Sequence, residues 1–529
     1  MRKMATLSAL SALAFADLRC SSGEFSANSI DSAGGTAGAS GAGNAGASEG
    51  GAASGAAARG GSPGGGAAGT AGATGDGGTG GEGGEGGESL TACDTTKRPS
   101  EAACVVSNDY AIFVAPMGKD TAVGSMTAPV KTFAKAMALA GAAKIVIACD
   151  GTYDEQVRIT SSAKLYGGFS CPRSAAPWSY ENGKKATVAP SARGAVLSIA
   201  SGSSKVEIED FEFDAQDGVD PGESSVAAFV NTSTNVALAR VKLAAGKGVD
   251  GANGLSSPVT FPAQAALNGH SATGDTGGPF NLVMCPAGGS TKGASGGNGG
   301  PGATGGGSGT PALAGGGPGT PGASCGSGGT GQDGTNASAR PPAQGATKLG
   351  AITPAGWTGA PGTDGTPGAP GQGGGGGTGA VTGGAGGGGG AGGCGGAGGG
   401  GGRSGGSSIA LLVLNSTLAM TANEFTASNA GKGGNGFVGQ GGQTPGGSAG
   451  VQVPDGCGGG KGGVGGAGGA GGGAAGGISV GIAYVGTTAP TPDAATTIAT
   501  GTAGAKGIGG VAGTNDGIAG VKQDVLLVP

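Results

Sequence analysis

Two long tracts of this chain place glycine at two of every three positions. One reads GGAGGGGGAGGCGGAGGGGGR from Gly383, and the other reads GGKGGVGGAGGAGGG from Gly459. A period of three residues matches the polyproline-II helix, which has no internal hydrogen bonds. Two bare faces per turn let neighbouring strands exchange N–H···O=C bonds, so the tracts predict a small polyglycine-II bundle. The alternative is a loop without regular structure, because glycine loses more conformational entropy on ordering than any other residue.

Glycine supplies 134 of the 529 residues, which excludes an ordinary globular enzyme from end to end. Charged residues make up only 12% and the formal net charge is −5, so no basic surface for nucleic acid is expected. The single histidine, His270, excludes a zinc site with several histidine ligands in one chain.

Residues 1–20 have the parts of a secretory signal peptide. Arg2 and Lys3 precede a short apolar run that closes on small residues at Ala16. The apolar run is too short to span a bilayer, so we expect an exported protein.

Cys20 follows the apolar run and precedes a polar tract. This arrangement resembles bacterial lipoproteins, which are acylated on the first cysteine of the mature chain. The resemblance implies lipidation of Cys20, an outer-membrane or cell-surface location, and membrane contact only through the lipid anchor. Asp17 and Arg19 depart from the usual lipoprotein pattern. Simple secretion after cleavage at Ala16 therefore stays open.

The chain has nine cysteines, and setting Cys20 aside leaves an even number suited to disulfides in an oxidising compartment. None lies in a CxxC pair, so metal ligation has little support. Cys93 with Cys104 and Cys149 with Cys171 are the expected local pairs. The pairing of the other four stays open; they are Cys285, Cys325, Cys394 and Cys457.

An ordered series of short motifs begins after Tyr110. The motifs are Val114, Pro116, Gly118 and Asp120; Pro129, Thr132 and Phe133; Gly151, Thr152, Tyr153 and Glu155; and Leu165, Tyr166, Gly167, Gly168 and Phe169. Together they resemble the opening of right-handed parallel β-helix proteins of the pectate-lyase-like class. The resemblance implies a fold and no activity. An amphipathic helix over residues 130–140 would close the first coil, whose strand backbone and apolar side chains are otherwise exposed.

Internal repeats support the same fold. The segment SSVAAFVNTSTNVALARVKLAAGKGVDGANG from Ser224 aligns with SSIALLVLNSTLAMTANEFTASNAGKGGNG from Ser407 over nearly its whole length, and looser copies begin at Ala195 and Gly477. Each copy holds two short alternating strands separated by a turn, which is the composition of one β-helix coil. The alignment stacks one set of apolar residues on another; they are Val206, Ile208, Phe211 and Phe213 on Val236, Leu238, Val241 and Leu243.

Both glycine tracts leave the repeats at the same corner, after Gly248 in one copy and after Gly433 in the next. Loops that leave one corner of successive coils are expected to lie side by side. The Gly-X-Y stretch GAPGTDGTPGAPGQG from Gly359 has too few triplets for a collagen helix and is expected to extend the same bundle.

The predicted fold class is all-β: a right-handed parallel β-helix with an N-terminal capping helix and inserted, polyglycine-II-like loops. A Gly/Ala/Ser composition predicts a disordered stalk, because such a segment buries too little apolar area to offset chain entropy. The predicted divisions are a signal peptide with a lipobox (1–20), the stalk (21–89), the cap and first coils (90–248), a glycine-rich insertion (249–406), one coil (407–430), a second insertion (431–477), and the last coils with a C-terminal cap (478–529).

The acidic run EIEDFEFDAQDGVDPGE from Glu207 is the main candidate for chemistry. Alternation along a strand puts several carboxylates on one outer face, and Ca²⁺ prefers oxygen ligands. The calcium candidates are Asp210, Glu212, Asp214 and Asp217. Asp214 and the pair of Asp210 with Arg240 resemble the calcium-plus-base arrangement of polyuronate lyases and are the catalytic candidates. The simpler interpretation is a solvated face in which Asp210 pairs with Arg240 and Glu212 with Lys242 across strands.

Two further motifs give little support for a functional site. The sequence from Gly328 to Asp333 matches the start of a calcium-binding nonapeptide but occurs once, and Thr335 stands where a large apolar residue is needed. His270 lies in a Ser/Gly/Thr-rich stretch and is expected at the surface.

These observations favour an exported surface protein with a structural, adhesive or glycan-binding role and without catalysis. Its expected partners are a polysaccharide or a cell-surface protein, and no cofactor is required. The alternative is a calcium-dependent polysaccharide lyase or hydrolase on a β-helix scaffold.

Overall fold

The computed structural model describes residues 93–94, 96–172 and 177–529. They lie in one unit, Ser89–Pro529. The predicted signal peptide, the lipidation site at Cys20 and the predicted stalk lie outside the described residues.

Short strands make up nearly all the regular structure. One α-helix, α1, spans Phe133–Ala140, and three 3-10 helices span Ala103–Val105, Gln264–Leu267 and Cys325–Ser327. The strands are β1 (Ala111–Val114), β2 (Ile145–Cys149), β3 (Gly151–Tyr153), β4 (Val157–Ile159), β5 (Ala163–Ser170), β6 (Ser179–Tyr180), β7 (Ala186–Val188), β8 (Leu197–Ile199), β9 (Val206–Glu209), β10 (Phe211–Asp214), β11 (Ser225–Asn231), β12 (Val236–Ala239), β13 (Lys242–Ala245), β14 (Asn281–Met284), β15 (Ser290–Gly293), β16 (Gly350–Thr353), β17 (Gly356–Gly359), β18 (Ser408–Leu414), β19 (Leu418–Thr421), β20 (Glu424–Ala427), β21 (Ser479–Val485), β22 (Thr497–Ala499) and β23 (Lys522–Leu527).

Three parallel sheets form a β-helix. Sheet A runs β1-β2-β5-β9-β12-β19, sheet B runs β3-β7-β10-β13-β20-β22, and sheet C runs β4-β8-β11-β18-β21-β23. Each coil contributes one strand to each sheet in turn, so sequence repeats become vertical neighbours. The antiparallel exceptions among the described strands are β6 beside β5 and the hairpins β14–β15 and β16–β17. The predicted parallel β-helix is confirmed.

The strand registers follow the repeats. Val206 pairs with Val236 and Ile208 with Leu238, as the alignment predicts. The Ser224 and Ser407 copies lie one coil apart, since β11 pairs with β18 and Ser225 lies opposite Ser408. β18 in turn pairs with β21 of the copy from Gly477.

Inward-facing apolar side chains fill the β-helix in rows. In sheet A one row consists of Leu165, Ile208, Leu238 and Met420, all buried. The rings of Phe211 and Phe213 in sheet B stack with their centroids 5.6 Å apart. Such rows exist because alternate strand residues face the same side.

Helix α1 packs against β1, β2 and β4, the first strands of sheets A and C. Phe133 is fully buried, and its ring centroid lies 4.7 Å from that of Tyr153. The helix begins later than predicted, because Val130 is buried in an isolated bridge with Val114. Its role in closing the first coil stays a prediction.

The motifs that resemble β-helix openings hold this helix in place. Asp120 Oδ1 accepts hydrogen bonds from the backbone N–H groups of Lys131 and Thr132, and Glu155 Oε1 accepts from that of Phe133, each at 2.9 Å. These carboxylates satisfy N–H groups that have no partner within a helix. The Tyr153 hydroxyl donates to the Val114 carbonyl at 3.0 Å.

The glycine tracts form an ordered bundle beside the β-helix, hereafter the glycine bundle. It consists of the extended segments 246–263, 268–270, 291–299, 303–309, 329–346, 360–379, 384–406, 429–450, 457–477 and 501–510. The segment 384–406 donates every third N–H to 457–477 and accepts every third one from 360–379. The seven bonds to 457–477 run from Gly387, Gly390, Gly393, Gly396, Gly399, Gly402 and Gly405 to Cys457, Gly460, Gly463, Gly466, Gly469, Gly472 and Ala475, at 2.8–3.0 Å.

This spacing is the one predicted for a polyglycine-II bundle. The segments that leave the β-helix corner also lie side by side, as expected: the Gly251 N–H donates to the Lys432 carbonyl at 2.8 Å, and the Gly433 N–H donates to the Ala505 carbonyl at 2.8 Å. Asp and Asn side chains reinforce the layer by accepting a neighbour's N–H, as Asp250 does from Lys432 and Asn253 from Asn435.

All four disulfides of the described residues are intramolecular. Cys93–Cys104 and Cys149–Cys171 are the predicted local pairs. The pairing that the sequence left open is Cys285–Cys394 and Cys325–Cys457. Each of these cross-links ties a bundle segment, through Cys394 or Cys457, to a connecting stretch that lies far away in the sequence.

Candidate functional site

The acidic run meets its basic partner at one corner of the β-helix. Successive coils pass from sheet A to sheet B through a single residue in the left-handed region, at Asp210 (φ 57°), Arg240 (φ 54°) and Ala422 (φ 51°). Such a conformation is uncommon for residues other than glycine and marks a tightly specified turn. Because the turns stack, the side chains of Asp210 and Arg240 lie on neighbouring coils.

Arg240 binds two carboxylates at this corner. Its Nε and Nη2 atoms donate to Asp210 Oδ1 and Oδ2, each at 2.8 Å, and Nη2 also donates to Glu209 Oε2 at 2.9 Å. The second oxygen of Glu209 pairs with Arg98 Nε at 2.9 Å. The side chains of Glu209 and Asp210 are each 4% exposed. We call Arg98, Glu209, Asp210 and Arg240 the corner cluster.

Two more polar side chains border the corner cluster. The Tyr180 hydroxyl donates to Asp210 Oδ2 at 3.2 Å, and Lys185 Nζ donates to the Arg240 carbonyl. Burial lowers the pKa of Lys185 and raises that of Tyr180. Burial also raises the pKa of Glu209 against the opposing effect of its two arginines.

The hydrogen bonds with Asp210 raise the pKa of Arg240 further above its ordinary value. The corner cluster therefore holds two permanent cations against two carboxylates. Both oxygens of each carboxylate have a cationic partner, which is the arrangement of a structural ion pair.

Sequence analysis missed Arg98, Tyr180 and Lys185. Lys185 could have been predicted, because Ala186 pairs with Phe211 and Lys185 therefore occupies the same corner one coil earlier than Asp210. Arg98 reaches Glu209 from the segment before β1, and no alternation in the sequence signals that contact.

The remaining acidic candidates are spread along the coil. Glu212 pairs with Lys242 at 2.8 Å, as predicted, and Asp217 Oδ1 accepts the Lys247 N–H at 2.6 Å. Asp214 makes no salt bridge with any described residue, and burial followed by the charge of Glu212 raises its pKa. The structure thus brings Asp210 and Arg240 together but gives Glu212 and Asp217 other partners. Calcium binding by these residues stays a prediction.

Other candidates take part in structural contacts. His270 is exposed, with Nδ1 3.3 Å from the Pro279 carbonyl oxygen. Asp333, which closes the nonapeptide-like motif, accepts the Lys461 N–H at 2.7 Å within the glycine bundle. Cys149, Asp150 and Cys171 lie close enough to hold a metal, but both sulfurs are in a disulfide and are not thiolate ligands.

A largely apolar cleft opens beside the first coil, with a volume of about 630 Å³. Met117, Met126 and Trp178 line it, with Asp150 as the charged residue of the wall. The Trp178 indole N–H donates to the Met126 carbonyl at 3.2 Å, and Asp150 pairs with Lys184 at 3.1 Å. The sequence motifs did not point to this cleft, because its walls come from four separate segments.

Residues 116–167 match the family described as "Protein of unknown function (DUF1565)". The match covers about a tenth of the chain, the part that holds Asp120, α1 and Glu155. That family is associated with parallel β-helix proteins, which agrees with the sheets described above. No curated protein and no solved structure matches the chain.

Proposed function

We propose that this is an exported surface protein whose β-helix and glycine bundle act as a rigid body for adhesion to a polysaccharide or a cell-surface protein, without catalysis. The corner cluster carries the proposal. A catalytic carboxylate needs an oxygen free to reach the substrate, whereas each oxygen of Glu209 and Asp210 is held by an arginine.

The outer face of sheet B supports an adhesive role. Glu212, Lys242 and Glu424 lie in one row on adjacent strands, with Thr187 and Thr152 continuing the row at one end and Thr497 at the other. This alternation of charge and hydroxyl groups gives a flat polar surface with regularly spaced donors and acceptors. Such a surface suits a repeating polar ligand.

Export has its own support. Four disulfides are typical of proteins that fold outside the reducing cytosol. Among the described residues, no helix has the length and apolar character needed to cross a membrane. A lipid anchor at Cys20 completes the proposal and rests on the sequence pattern alone.

The anchor predicts a specific mature N-terminus. We expect mass spectrometry of the protein from its native membrane to show Cys20 as the first residue, carrying acyl chains. A Cys20→Ser variant should then move from the membrane fraction to the medium or periplasm. An unmodified N-terminus at Asp17 would eliminate the anchor and leave secretion.

The adhesive role predicts binding without turnover. We expect the purified full-length mature chain, screened against polyuronates and neutral polysaccharides with and without Ca²⁺, to bind at least one polymer and to release no shortened product. The double variant Glu212→Lys, Lys242→Glu exchanges two charges of the sheet B row. It keeps the ion pair but reverses its direction. This variant should bind the polymer more weakly, and unchanged binding would contradict the use of this face.

A polysaccharide lyase is the second candidate, favoured by one observation. Lys185 lies at the same corner and burial lowers its pKa, as expected of a lysine that accepts a proton from a sugar ring. If the screen shows calcium-dependent release of unsaturated products, Lys185→Met should abolish it, and circular dichroism should show that the variant is still folded. Product release that survives Lys185→Met would rule out this lysine as the base.

A further inference from the structure

One face of the central bundle segment 384–406 has no neighbour over part of its length. Every third N–H group of the segment lies on this face. The groups near the two ends of the segment donate hydrogen bonds, whereas those in the middle do not. Gly395 and Gly398 donate to no described residue, although Gly395 is buried. The paired groups on either side are those of Gly386 to the Gly297 carbonyl, Gly389 to the Ala294 carbonyl, Gly392 to Thr291 Oγ1, and Gly401 to Asp364 Oδ1.

The segment 291–299 supplies the first three of these partners and leaves the face before Gly395. A groove of about 420 Å³ lies where its line would continue. Gly398 and Gly401 form part of the floor, Leu255 and Ser257 lie on one side, and Asp364 lies on the other.

The segment 360–379 also has a face on which only part of the row of N–H groups donates to a neighbouring segment. Its N–H groups of Gly373 and Gly376 donate to Thr310 and Gly307, each at 3.0 Å. Stepping back by threes from Gly373 reaches Pro370, Pro367 and Asp364. Proline has no N–H group that needs an acceptor, so the segment 360–379 leaves no donor unpaired at these two positions where the partner segment ends.

A polar backbone donor left unpaired inside a protein costs free energy, so an arriving acceptor would be stabilised there. A strand that fits must present its own carbonyl and N–H groups every third residue, as the other bundle segments do. It must also lack side chains on two of its three faces, because the floor of the groove is glycine backbone. These requirements describe an extended Gly-Gly-X strand.

Two charged side chains line the groove, Asp364 and Arg403, and the Asp364 carboxylate accepts the Gly401 N–H group. Arg403 is exposed and makes no salt bridge within the described residues. A strand with acidic residues at its X positions would complement this charge. Residues 77–88 of the chain read GGTGGEGGEGGE, which places Glu82, Glu85 and Glu88 three residues apart.

We infer that the groove is an unfilled strand position of the glycine bundle and that it accepts the Gly-Gly-X segment 77–88 of a second copy of this chain. Backbone hydrogen bonds to Gly398 provide the affinity, and Arg403 selects the acidic X residues. The contact is between different surfaces of the two copies, so it can link more than two chains in a row.

Sedimentation velocity of the full-length mature chain over a range of concentrations tests this inference. We expect concentration-dependent self-association that the peptide GGTGGEGGEGGE reverses. The matched peptide with alanine in place of every glycine should not compete, because its methyl groups would meet the backbone floor. A chain that stays monomeric at every concentration, or equal competition by both peptides, would overturn the inference.

Two groove variants separate shape from charge. Ser257→Trp fills the groove from an exposed position, and Arg403→Glu reverses its charge; each should weaken self-association at least about tenfold. Ser256→Trp is the matched control, since Ser256 is exposed but does not line the groove, and it should associate like the wild type. Circular dichroism and melting curves confirm folding. Association that is unchanged in both groove variants would contradict the inference.

Discussion

Replacing Arg240 with methionine is expected to lower the free energy of unfolding by about 3–5 kcal/mol, the cost of breaking a buried ion pair from one side. The variant keeps most of the apolar stem of Arg240 but leaves Asp210 with the Tyr180 hydroxyl and Glu209 with Arg98 alone. Both carboxylates are almost fully buried in the wild type, so each loses a charged partner at a site with little contact with water. Urea or guanidinium denaturation followed by circular dichroism measures the loss.

The pH dependence identifies the cause of that loss. Burial already raises the pKa of Glu209, so the folded state binds a proton at this carboxylate more tightly than the unfolded state does, and removing Arg240 strengthens that difference. The stability gap between the variant and the wild type should therefore narrow as the pH falls from about 7 to about 4. A gap that stays constant over this range would show that lost packing, and not unpaired charge, is responsible.

Lys242→Met is the matched control for Arg240→Met. The Lys242–Glu212 pair lies two residues further along the same two coils, but both side chains are partly exposed. Exposed ion pairs contribute little, so we expect a loss of no more than about 1 kcal/mol. Equal losses of stability in the two variants would contradict the claim that the buried carboxylates of the corner cluster make its ion pairs the more important ones.

Replacing Gly442 with alanine is expected to destabilise the glycine bundle by about 3 kcal/mol, the upper range for overpacking a close-packed interior. A Cβ atom at this position would lie far inside van der Waals contact with the Gly465 carbonyl oxygen. The Gly465 N–H group donates a hydrogen bond to the Gln443 carbonyl at 3.0 Å. Because this bond holds the Gly465 backbone in place, its carbonyl oxygen cannot rotate away as a flexible side chain would.

Its neighbour provides the control. A Cβ atom on Gly441 would meet nothing within 4 Å, and its backbone is outside the left-handed region. Gly441→Ala should therefore leave stability unchanged or raise it by up to about 1 kcal/mol, since alanine reduces the entropy of the unfolded chain. Limited proteolysis of the two variants, read by mass spectrometry, should show cleavage within 429–477 for Gly442→Ala only. Equal protection of both would show that the close approach is relieved at little cost.

Much of the β-helix could be predicted from the sequence because its coils are covalent repeats with apolar alternation. The pairing of Val206 with Val236, the Asp210–Arg240 contact and the Glu212–Lys242 pair all follow from aligning one copy on the next. Arg98 escaped prediction because its contact with Glu209 depends on how a segment without regular repeats crosses sheet A.

The sequence predicts the three-residue period of the glycine bundle but not which of its segments lie next to one another. Gly-Gly-X segments offer nearly identical backbones, so sliding one past another by three residues preserves the hydrogen bonds. Specific features must select one arrangement, and these are long-range contacts such as Cys285–Cys394, Cys325–Cys457 and the bond from the Lys461 N–H to Asp333. Sequence spacing does not encode which cysteines meet.

The three-residue spacing of the bundle hydrogen bonds also restricts how a gene for such a chain can change. Losing one or two codons from the segment 384–406 would turn every later side chain onto a face that holds a neighbouring backbone, whereas losing three restores the same faces. Any base change that replaces a bundle glycine by another residue introduces a side chain. Homologous chains are therefore expected to differ in the length of these segments by multiples of three residues, and to accept such changes in pairs of adjoining segments.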